Sequence, residues 1–297
     1  MSGRWLLRVS SPVVLAGLLA LCPAGTPAGD QPPTSDARRN ARLGLPSDAK
    51  PDPAQREDYR IERPQYVLSY NGKTRTPNWV SWRLVRSDLG HAARAAFEPD
   101  PLLPRGFARV TSHVYDGSGF DRGHQCPAKD RSATPRDTAA TFLMSNVVPQ
   151  APNCNQRGGE RLEDDGRGLA LQGHELQIVC GPQGAGGTGN NGPREEIGTG
   201  RLAVTVPARL WMVVVVLPEP GAEPRKNTRV IAVIMPNDQS VDFDWPRYRT
   251  TARAVERLTG HTFFRDVPPE TAAAMREHRD EVAVRVPRGG GKGGRPD

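Results

Sequence analysis

The chain has 297 residues, of which 36% are hydrophobic and 25% are charged, and its formal net charge is +7. This composition excludes a multi-span membrane protein and a wholly disordered chain, and the length suits one large domain or two small ones. Glycine (31) and proline (29) are abundant, which indicates many loops around a modest core. The basic balance favours a polyanionic partner such as nucleic acid or an anionic surface, although solubility alone is an equally simple explanation.

The first 28 residues have the pattern of an export signal. Arg4 and Arg8 precede a short apolar run at 13–21, and small residues follow it. The run is shorter than the roughly 20 residues that a membrane-spanning helix needs, so we predict a cleaved signal peptide at 1–28 rather than a retained anchor. Cleavage lowers the formal charge from +7 to +5, because residues 1–28 contain these two arginines and no acidic residue. A secreted or periplasmic protein without stable membrane insertion is therefore expected.

The next segment, 29–58, is polar and rich in proline, without an apolar period, and predicts a flexible linker. Two stretches at 66–71 and 79–85 carry aromatic and β-branched residues on either side of GKTRTPN, a pattern that predicts a β-hairpin. Residues 107–116 are predicted to add a strand. The folded domain is accordingly assigned to 59–268.

The second half of this domain mixes strands and helices without regular alternation. That order favours an α+β fold over a doubly wound α/β sheet. The final segment, 269–297, ends in PRGGGKGGRPD, a composition that predicts a partly disordered tail. The predicted elements are a helix that becomes extended over 137–150, a helix over 155–173, strands over 175–182, 202–217 and 229–237, and a glycine-stopped helix over 248–260.

The strongest chemical signal surrounds His124, in the stretch SGFDRGHQCPA at 118–128. A lone histidine is more often structural than catalytic, but this one is followed by NCNQ, with Asn155, and by RLED, with Glu163. In order, the runs YDGSGFDRGHQCPAKDR, TFLMSNVVPQAPNCNQ and RLED resemble the DNA/RNA non-specific endonuclease family of ββα-metal nucleases. The resemblance extends over roughly residues 43–268.

The resemblance implies an α+β, ββα-metal nuclease fold with a central, mainly antiparallel sheet flanked by helices. It also implies a secreted, metal-dependent endonuclease that hydrolyses phosphodiester bonds of DNA and RNA without strong sequence preference and leaves 5′-phosphate ends. Contacts mainly to the backbone would explain that lack of preference, since the backbone carries no direct sequence information. DNA and RNA are the expected partners, and a protein inhibitor is left open.

The same resemblance implies roles for the residues of the site. His124 is the expected general base, because a neutral imidazole accepts a proton near neutral pH. Asn155 resembles the family's sole protein ligand to Mg²⁺, an ion that keeps several waters when few protein atoms hold it; Mn²⁺ is the alternative. Glu163 is eight residues further, about 12 Å along a helix on nearly the same face, and is expected to hold a metal-bound water.

Further polar residues complete the implied site. Arg94 resembles the arginine that binds the scissile phosphate, where a planar guanidinium suits phosphate geometry, and Arg105 or Arg109 are the alternatives. Asn146 is grouped with the catalytic residues as one that shapes the site. The residues expected to support the site and its loops are Asp121, Arg122 and Gln150.

Two features set this sequence apart. Family members usually carry an aromatic residue four positions after the metal asparagine, where this chain has Gly159, preceded by Gly158. Each glycine costs a helix about 1 kcal/mol relative to alanine, so a loosened or kinked helix is expected. Cys126 and Cys154 flank the implied site, and a disulfide between them is one hypothesis; small buried thiols are the other.

Two other functions compete with a nuclease. The double glycine favours a nucleic-acid-binding protein on the same fold with weak or no turnover, whereas the retained His124, Asn155 and Glu163 argue against it. A zinc protein that uses His124, Cys126 and Cys154 is the third candidate, but its spacing matches no common zinc pattern.

Overall fold

The computed structural model describes residues 1–2 and 35–284. Apart from Met1 and Ser2, the predicted signal peptide lies outside the described residues, as does the end of the predicted tail, 285–297. Within the part of the chain that is described, no helix is long and apolar enough to cross a membrane.

The described residues form an α+β fold, as predicted. The five α-helices of this part are α1 (Ser35–Asn40), α2 (Pro135–Thr141), α3 (Glu160–Leu171), α4 (Ala252–Thr259) and α5 (Pro269–Glu277). Its strands are β1 (Tyr59–Glu62), β2 (Val67–Asn71), β3 (Thr76–Leu84), β4 (Asp121–His124), β5 (Val147–Gln150), β6 (Glu175–Gln183), β7 (Gly187–Gly189), β8 (Gly192–Arg194), β9 (Glu196–Ile197), β10 (Val204–Thr205), β11 (Arg209–Leu217), β12 (Arg229–Pro236) and β13 (Arg249–Thr250).

A seven-stranded sheet in the order β1-β2-β3-β6-β11-β12-β13 forms the centre of the fold. Every neighbouring pair in it is antiparallel. Strand β11 carries the apolar run LWMVVVVL because both faces of this inner strand are covered. Trp211 and Val213 contribute to the core on one face, and Val214 and Val216 to the core on the other.

The two faces of the central sheet pack against different parts of the chain. On one face, the core contains residues of α1, α4 and α5, among them Ala37, Val255 and Met275. On the other face, the core contains Cys154 and Leu162, from the helical segment that follows β5. The second face therefore holds the segment that carries the predicted site.

The linker predicted over 29–58 is wrong for its described part. Helix α1 lies inside it, and Ala37, Leu43 and Ala49 are all buried in the core. These three apolar residues are irregularly spaced in the sequence and pack against a sheet formed by later residues. The segment therefore has no apolar period from which its packing could be predicted. The tail is likewise ordered at its start, because α5 buries Ala272 and Met275.

The predicted hairpin is confirmed as β2 and β3, whose register includes Leu68 opposite Val80. The strand expected over 107–116 is wrong, since this stretch contains a short 3₁₀ helix at Ser112–Tyr115. Val110 and Tyr115 bury their side chains in a small separate core, which explains the apolar pattern without a strand.

A ββα unit lies beside the sheet. Strands β4 and β5 pair antiparallel, with Asp121 opposite Gln150 and His124 opposite Val147. A π-helix at Cys154–Gly159 then leads directly into α3. The unit thus brings the end of β4 and the start of this helical segment together.

Candidate active site

His124 ends strand β4 with its ring between two aromatic side chains. The ring centroid lies 5.1 Å from that of Phe97 and 4.7 Å from that of Phe142, the second in an edge-on arrangement. Nε2 is buried and has no hydrogen-bond partner among the described residues. Aromatic packing therefore orients the imidazole.

The surroundings of His124 keep its ring neutral. Burial, and then the positive charge of Arg94, lower its pKa from 6.5 to about 3. The ring is consequently unprotonated at neutral pH, the state in which an imidazole accepts a proton.

Asn155 lies in the first turn of the π-helix, and its side chain is fixed by Asp121. Nδ2 of Asn155 donates to Oδ2 of Asp121 at 2.8 Å, and Nε2 of Gln156 donates to the same oxygen at 2.8 Å. A carboxylate only accepts hydrogen bonds, so the Asn155 amide must turn its nitrogen to Asp121 and its oxygen away. Among the described residues, nothing donates to that oxygen, which leaves it free for another ligand.

Glu163 lies on α3 above a buried ionic cluster. Its carboxylate is 3.6 Å from Arg167 Nη1, which also bonds Asp130 at 2.8 Å. Asp130 in turn accepts a hydrogen bond from Trp82 Nε1 at 3.0 Å. Burial raises the pKa of Glu163 to about 8, although Arg167 opposes this shift. The cluster anchors Glu163 to the sheet through residues that the sequence did not suggest.

These groups line one cleft of about 190 Å³. Arg94 is exposed, stacks on the Phe142 ring at 5.0 Å and pairs with no carboxylate among the described residues. Arg105 and Arg109 do not line the cleft. The charged and polar side chains that do include Arg94, Arg122, His124, Lys129, Asn155 and Glu163.

Among the residues that line the cleft, Asn155 offers a neutral amide oxygen and Glu163 a carboxyl group to a cation, while the Glu160 carboxylate is paired with Lys129 at 2.9 Å. Within residues 1–2 and 35–284, no group of three or more His, Cys, Asp or Glu side chains is placed to hold a metal. Such a donor set suits a hydrated divalent ion with oxygen ligands, which needs few protein atoms. The alternative, a zinc site made of His124, Cys126 and Cys154, would need nitrogen and sulfur ligands grouped around one ion, and the described residues contain no such group.

Comparison with known proteins identifies the chain. The sequence profile described as DNA/RNA non-specific endonuclease matches residues 45–270. The chain belongs to the DNA/RNA non-specific endonuclease family. A nuclease from Nostoc sp. is 41% identical over 90% of this chain and 97% of its own length. Bovine mitochondrial endonuclease G is 28% identical over 85% of this chain and 79% of its own.

A solved structure agrees with this assignment. The EndoG/EndoGI complex, described for its mechanism of EndoG inhibition, matches with a TM-score of 0.64 and 25% identity, over 79% of this chain and 93% of that one. The protein is thus a nuclease with the ββα-metal fold, as the motifs predicted. The family implies a divalent metal ion.

Asn146 does not reach the cleft of this nuclease. Its side chain is fully buried, accepts from the Cys126 amide at 2.9 Å and donates to the carbonyls of Cys126 and Thr141, both at 2.9 Å. These contacts suit the expected role of Asn146 as a residue that shapes the site, and its grouping with the catalytic residues stays a prediction. Asn146 holds the chain just after His124 in place.

Of the expected supporting residues, Asp121 orients Asn155, Arg122 connects β4 to the 3₁₀ helix at Ser112–Tyr115, and Gln150 connects β5 to the π-helix. Arg122 donates to the Ser112 carbonyl at 3.0 and 3.2 Å and pairs with Asp116. Gln150 is buried beneath the site and donates to the Cys154 thiol at 3.5 Å. The sequence analysis did not predict roles for Phe97, Phe142 and Arg167. The contact of Arg167 with Glu163 could have been predicted, because the two residues are four positions apart on one helix.

The disulfide between Cys126 and Cys154 is not formed, and both residues are buried free thiols together with Cys180. The Cys154 sulfur instead accepts a hydrogen bond from Gln150, and Cys180 donates to the Gln125 carbonyl at 3.4 Å. Burial raises the pKa of Cys154 to about 12. These thiols pack as small apolar groups in this nuclease.

The double glycine has a packing reason. A Cβ on Gly158 would lie 2.6 Å from Val241 Cγ1 and 3.1 Å from the Asp242 carbonyl oxygen. A Cβ on Gly159 would lie 2.8 Å from the Cys154 carbonyl oxygen, across the π-turn. Gly158 therefore lets the turn that carries Asn155 approach the loop after β12, and this turn is a π-helix rather than the start of the helix predicted over 155–173.

We expect Gly158→Ala to destabilise the enzyme by about 1–3 kcal/mol, because the added methyl group overpacks Val241. Gly168→Ala is the matched control, since Gly168 lies in α3 with nothing within 4 Å of its Cβ position. That variant should gain about 1 kcal/mol from helix propensity. Urea unfolding of both variants measures the difference, and equal effects would contradict the packing account.

We expect Asp121→Ala to weaken the apparent affinity for the divalent ion by about 10- to 100-fold, because the Asn155 amide loses the bond that orients it. Titration of cleavage with Mg²⁺ and calorimetric titration with Mn²⁺ measure this shift. Gln156→Ala removes only the other hydrogen bond to Asp121 and serves as the control. Similar losses in both variants would show that Asp121 does not act through Asn155.

The raised pKa of Glu163 predicts a pH-dependent stability. The unfolded chain loses this proton near the ordinary pKa of 4.5, whereas the folded chain keeps it to about pH 8. Stability is thus full below about pH 4.5 and is lost as pH rises through about 8. In EDTA, the Tm of Glu163→Gln should exceed that of the wild type by a gap that widens between about pH 4.5 and pH 8 and stays constant above that range. Glu160→Gln, one turn earlier and half-exposed, should show no widening gap.

Proposed function

We propose that this nuclease is exported and cuts DNA and RNA internally by metal-dependent hydrolysis, with little sequence preference, leaving 5′-phosphate ends. The observation that carries the proposal is the placement of a neutral imidazole, a free guanidinium and a free amide oxygen in one cleft. His124, Arg94 and Asn155 supply these three groups. Export is supported by the apolar run at 13–21 with its preceding arginines.

In the proposed reaction, His124 accepts a proton from a water molecule as the water oxygen attacks phosphorus. Arg94 binds a non-bridging phosphate oxygen through its guanidinium, which suits phosphate geometry. The bond from phosphorus to the 3′-oxygen breaks, the phosphate remains on the 5′-oxygen, and the released 3′-oxygen takes up a proton from solvent water. General base catalysis of this kind contributes about 10²- to 10⁴-fold to the rate.

The residues that would hold Mg²⁺, or Mn²⁺ in its place, are Asn155 through Oδ1 and Glu163 through metal-bound water. When bound, the ion supplies positive charge that stabilises the negative charge on the leaving oxygen. Asp121 keeps Oδ1 turned away from itself, and Arg167 holds the Glu163 carboxylate from the core side. The protein thus contributes few direct ligands and a fixed orientation for each.

Purified protein lacking residues 1–28 should nick plasmid DNA and degrade RNA with Mg²⁺, and EDTA should abolish both activities. Products should be ligatable without added kinase if they carry 5′-phosphates. Tight binding of DNA without cleavage by the wild type would favour a nucleic-acid-binding protein instead. Activity restored by Zn²⁺ and not by Mg²⁺ would contradict the proposed metal chemistry.

Expression of the full chain with its N-terminus intact tests export. The protein recovered outside the cytoplasm should lack roughly the first 28 residues, as read by mass spectrometry. Recovery of the uncleaved chain in the membrane fraction would contradict the prediction of a cleaved signal.

A further inference from the structure

We propose that Phe243 and Arg157 form a stacking platform for an unpaired base of the substrate strand, beside the cleft. This inference rests on the proposed function and adds a contact to a base that the cleft itself does not provide. Phe243 is 52% exposed and is the only exposed aromatic side chain among the described residues. The Arg157 guanidinium lies 5.8 Å from the centre of its ring.

The platform is joined to the turn that carries Asn155. Arg157 is two residues after Asn155 in the same π-helix. The loop that carries Phe243 is fixed to this turn, because Asn153 donates its backbone amide and its Nδ2 to Gln239, at 3.1 and 2.7 Å. Packing of Val241 on Gly158 adds a second anchor. An exposed ring held so firmly is available for contact without a large ordering cost.

The position of the platform fits a neighbouring nucleotide. Two residues of helix span about 3 Å, and the arginine side chain extends further. A nucleic-acid strand advances about 3.4 Å per nucleotide, and a strand that leaves the cleft along this turn would bring a base to the platform a few nucleotides from the phosphate bound in the cleft. A base at that distance can stack on the aromatic ring while its backbone continues into the cleft.

The charges around Phe243 favour a base over a phosphate. Asp242 pairs with Arg247 at 2.9 Å, while Asp244, the residue after Phe243, is exposed and pairs with no basic side chain among the described residues. Arg157 pairs with no carboxylate among the described residues, so its guanidinium is free to stack. An unpaired carboxylate in this loop repels the phosphate backbone, whereas the uncharged face of a base stacks on aromatic and guanidinium planes of any sequence.

The test measures binding in a His124→Ala background, which should bind nucleic acid while cutting it slowly. The probes are a fluorescent 12-nucleotide single strand and a duplex of equal length, both with Mg²⁺. Phe243→Ala should weaken single-strand binding by about 5- to 150-fold, the effect of losing one stacked base. Duplex binding should change much less, because paired bases are not free to stack. Phe243→Trp should retain binding, and Phe243→Leu should resemble alanine.

Abasic substitution locates the stacked base. A single abasic nucleotide is placed at each position of the single strand in turn. At the position of the stacked base, it should weaken binding to the parent protein and leave binding to Phe243→Ala unchanged. Leu171→Ala is the matched control: it is 53% exposed, lies at the far end of α3 and should bind like the parent. Unchanged single-strand binding by Phe243→Ala, an equal loss for duplex, or an abasic effect that persists in the variant would overturn the proposal. Failure of the wild type to cleave would instead overturn the proposed function, since cleavage does not depend on the platform.

Discussion

His124→Ala is expected to lower kcat for plasmid and RNA cleavage by about 10²- to 10⁴-fold, with KM changed little. The imidazole is the neutral group in the cleft suited to accept a proton at neutral pH, and its removal leaves Arg94 and Asn155 in place. Steady-state cleavage of a labelled oligonucleotide with saturating Mg²⁺ measures both constants.

The control for this variant lies outside the cleft. His113 is highly exposed, pairs with Asp116 and does not line the cleft, so His113→Ala should cleave at nearly the wild-type rate. A His124→Ala enzyme that keeps its kcat, or that loses activity only through a higher KM, would show that His124 is not the base.

Asn155→Ala is expected to lower kcat by about 10²-fold or more, because several kcal/mol of charge stabilisation are lost with the ion. It should also raise the Mg²⁺ concentration needed for half-maximal rate. Asn155→Asp should not restore full activity, since a second carboxylate would face Asp121, now 2.8 Å from the amide nitrogen. Cleavage rates measured across a Mg²⁺ series test both variants.

Asn153→Ala provides the comparison for this prediction. Asn153 is an amide of the same stretch of chain, but its side chain bonds Gln239 and does not line the cleft. It should leave the Mg²⁺ dependence unchanged. An equal shift in both variants would mean that the turn as a whole, and not the Asn155 oxygen, determines metal affinity.

Local patterns in the sequence were sufficient for most of the fold. The run 210–217 is apolar at every position and forms the inner strand β11, and the hairpin of β2 and β3 follows from alternation around polar turn residues. Gly260 ends α4 in a left-handed conformation, as its position after an amphipathic stretch indicated. In each case the signal and the structure lie within a few residues of each other.

What the sequence did not reveal depends on contacts between distant residues. Asn146 carries the same amide as Asn155, yet three bonds to backbone bury it while Asn155 keeps a free oxygen. Gly158 is explained only by Val241, 83 positions away, and the first described residues after 34 pack through scattered side chains such as Leu43. Such pairings are set by the tertiary structure and have no periodic trace in the chain.

The measurement that tests the two roles most directly compares leaving groups. Cleavage of a thymidine 5′-phosphodiester whose leaving group is the 3′-oxygen of a nucleoside is measured beside cleavage of thymidine 5′-(p-nitrophenyl phosphate), whose leaving oxygen is stable as an anion. Our account predicts that Asn155→Ala recovers most of its lost rate on the p-nitrophenyl ester, while His124→Ala remains impaired on both substrates because each still needs an activated water. Equal defects of the two variants on both substrates would contradict the division of work between His124 and the ion held at Asn155.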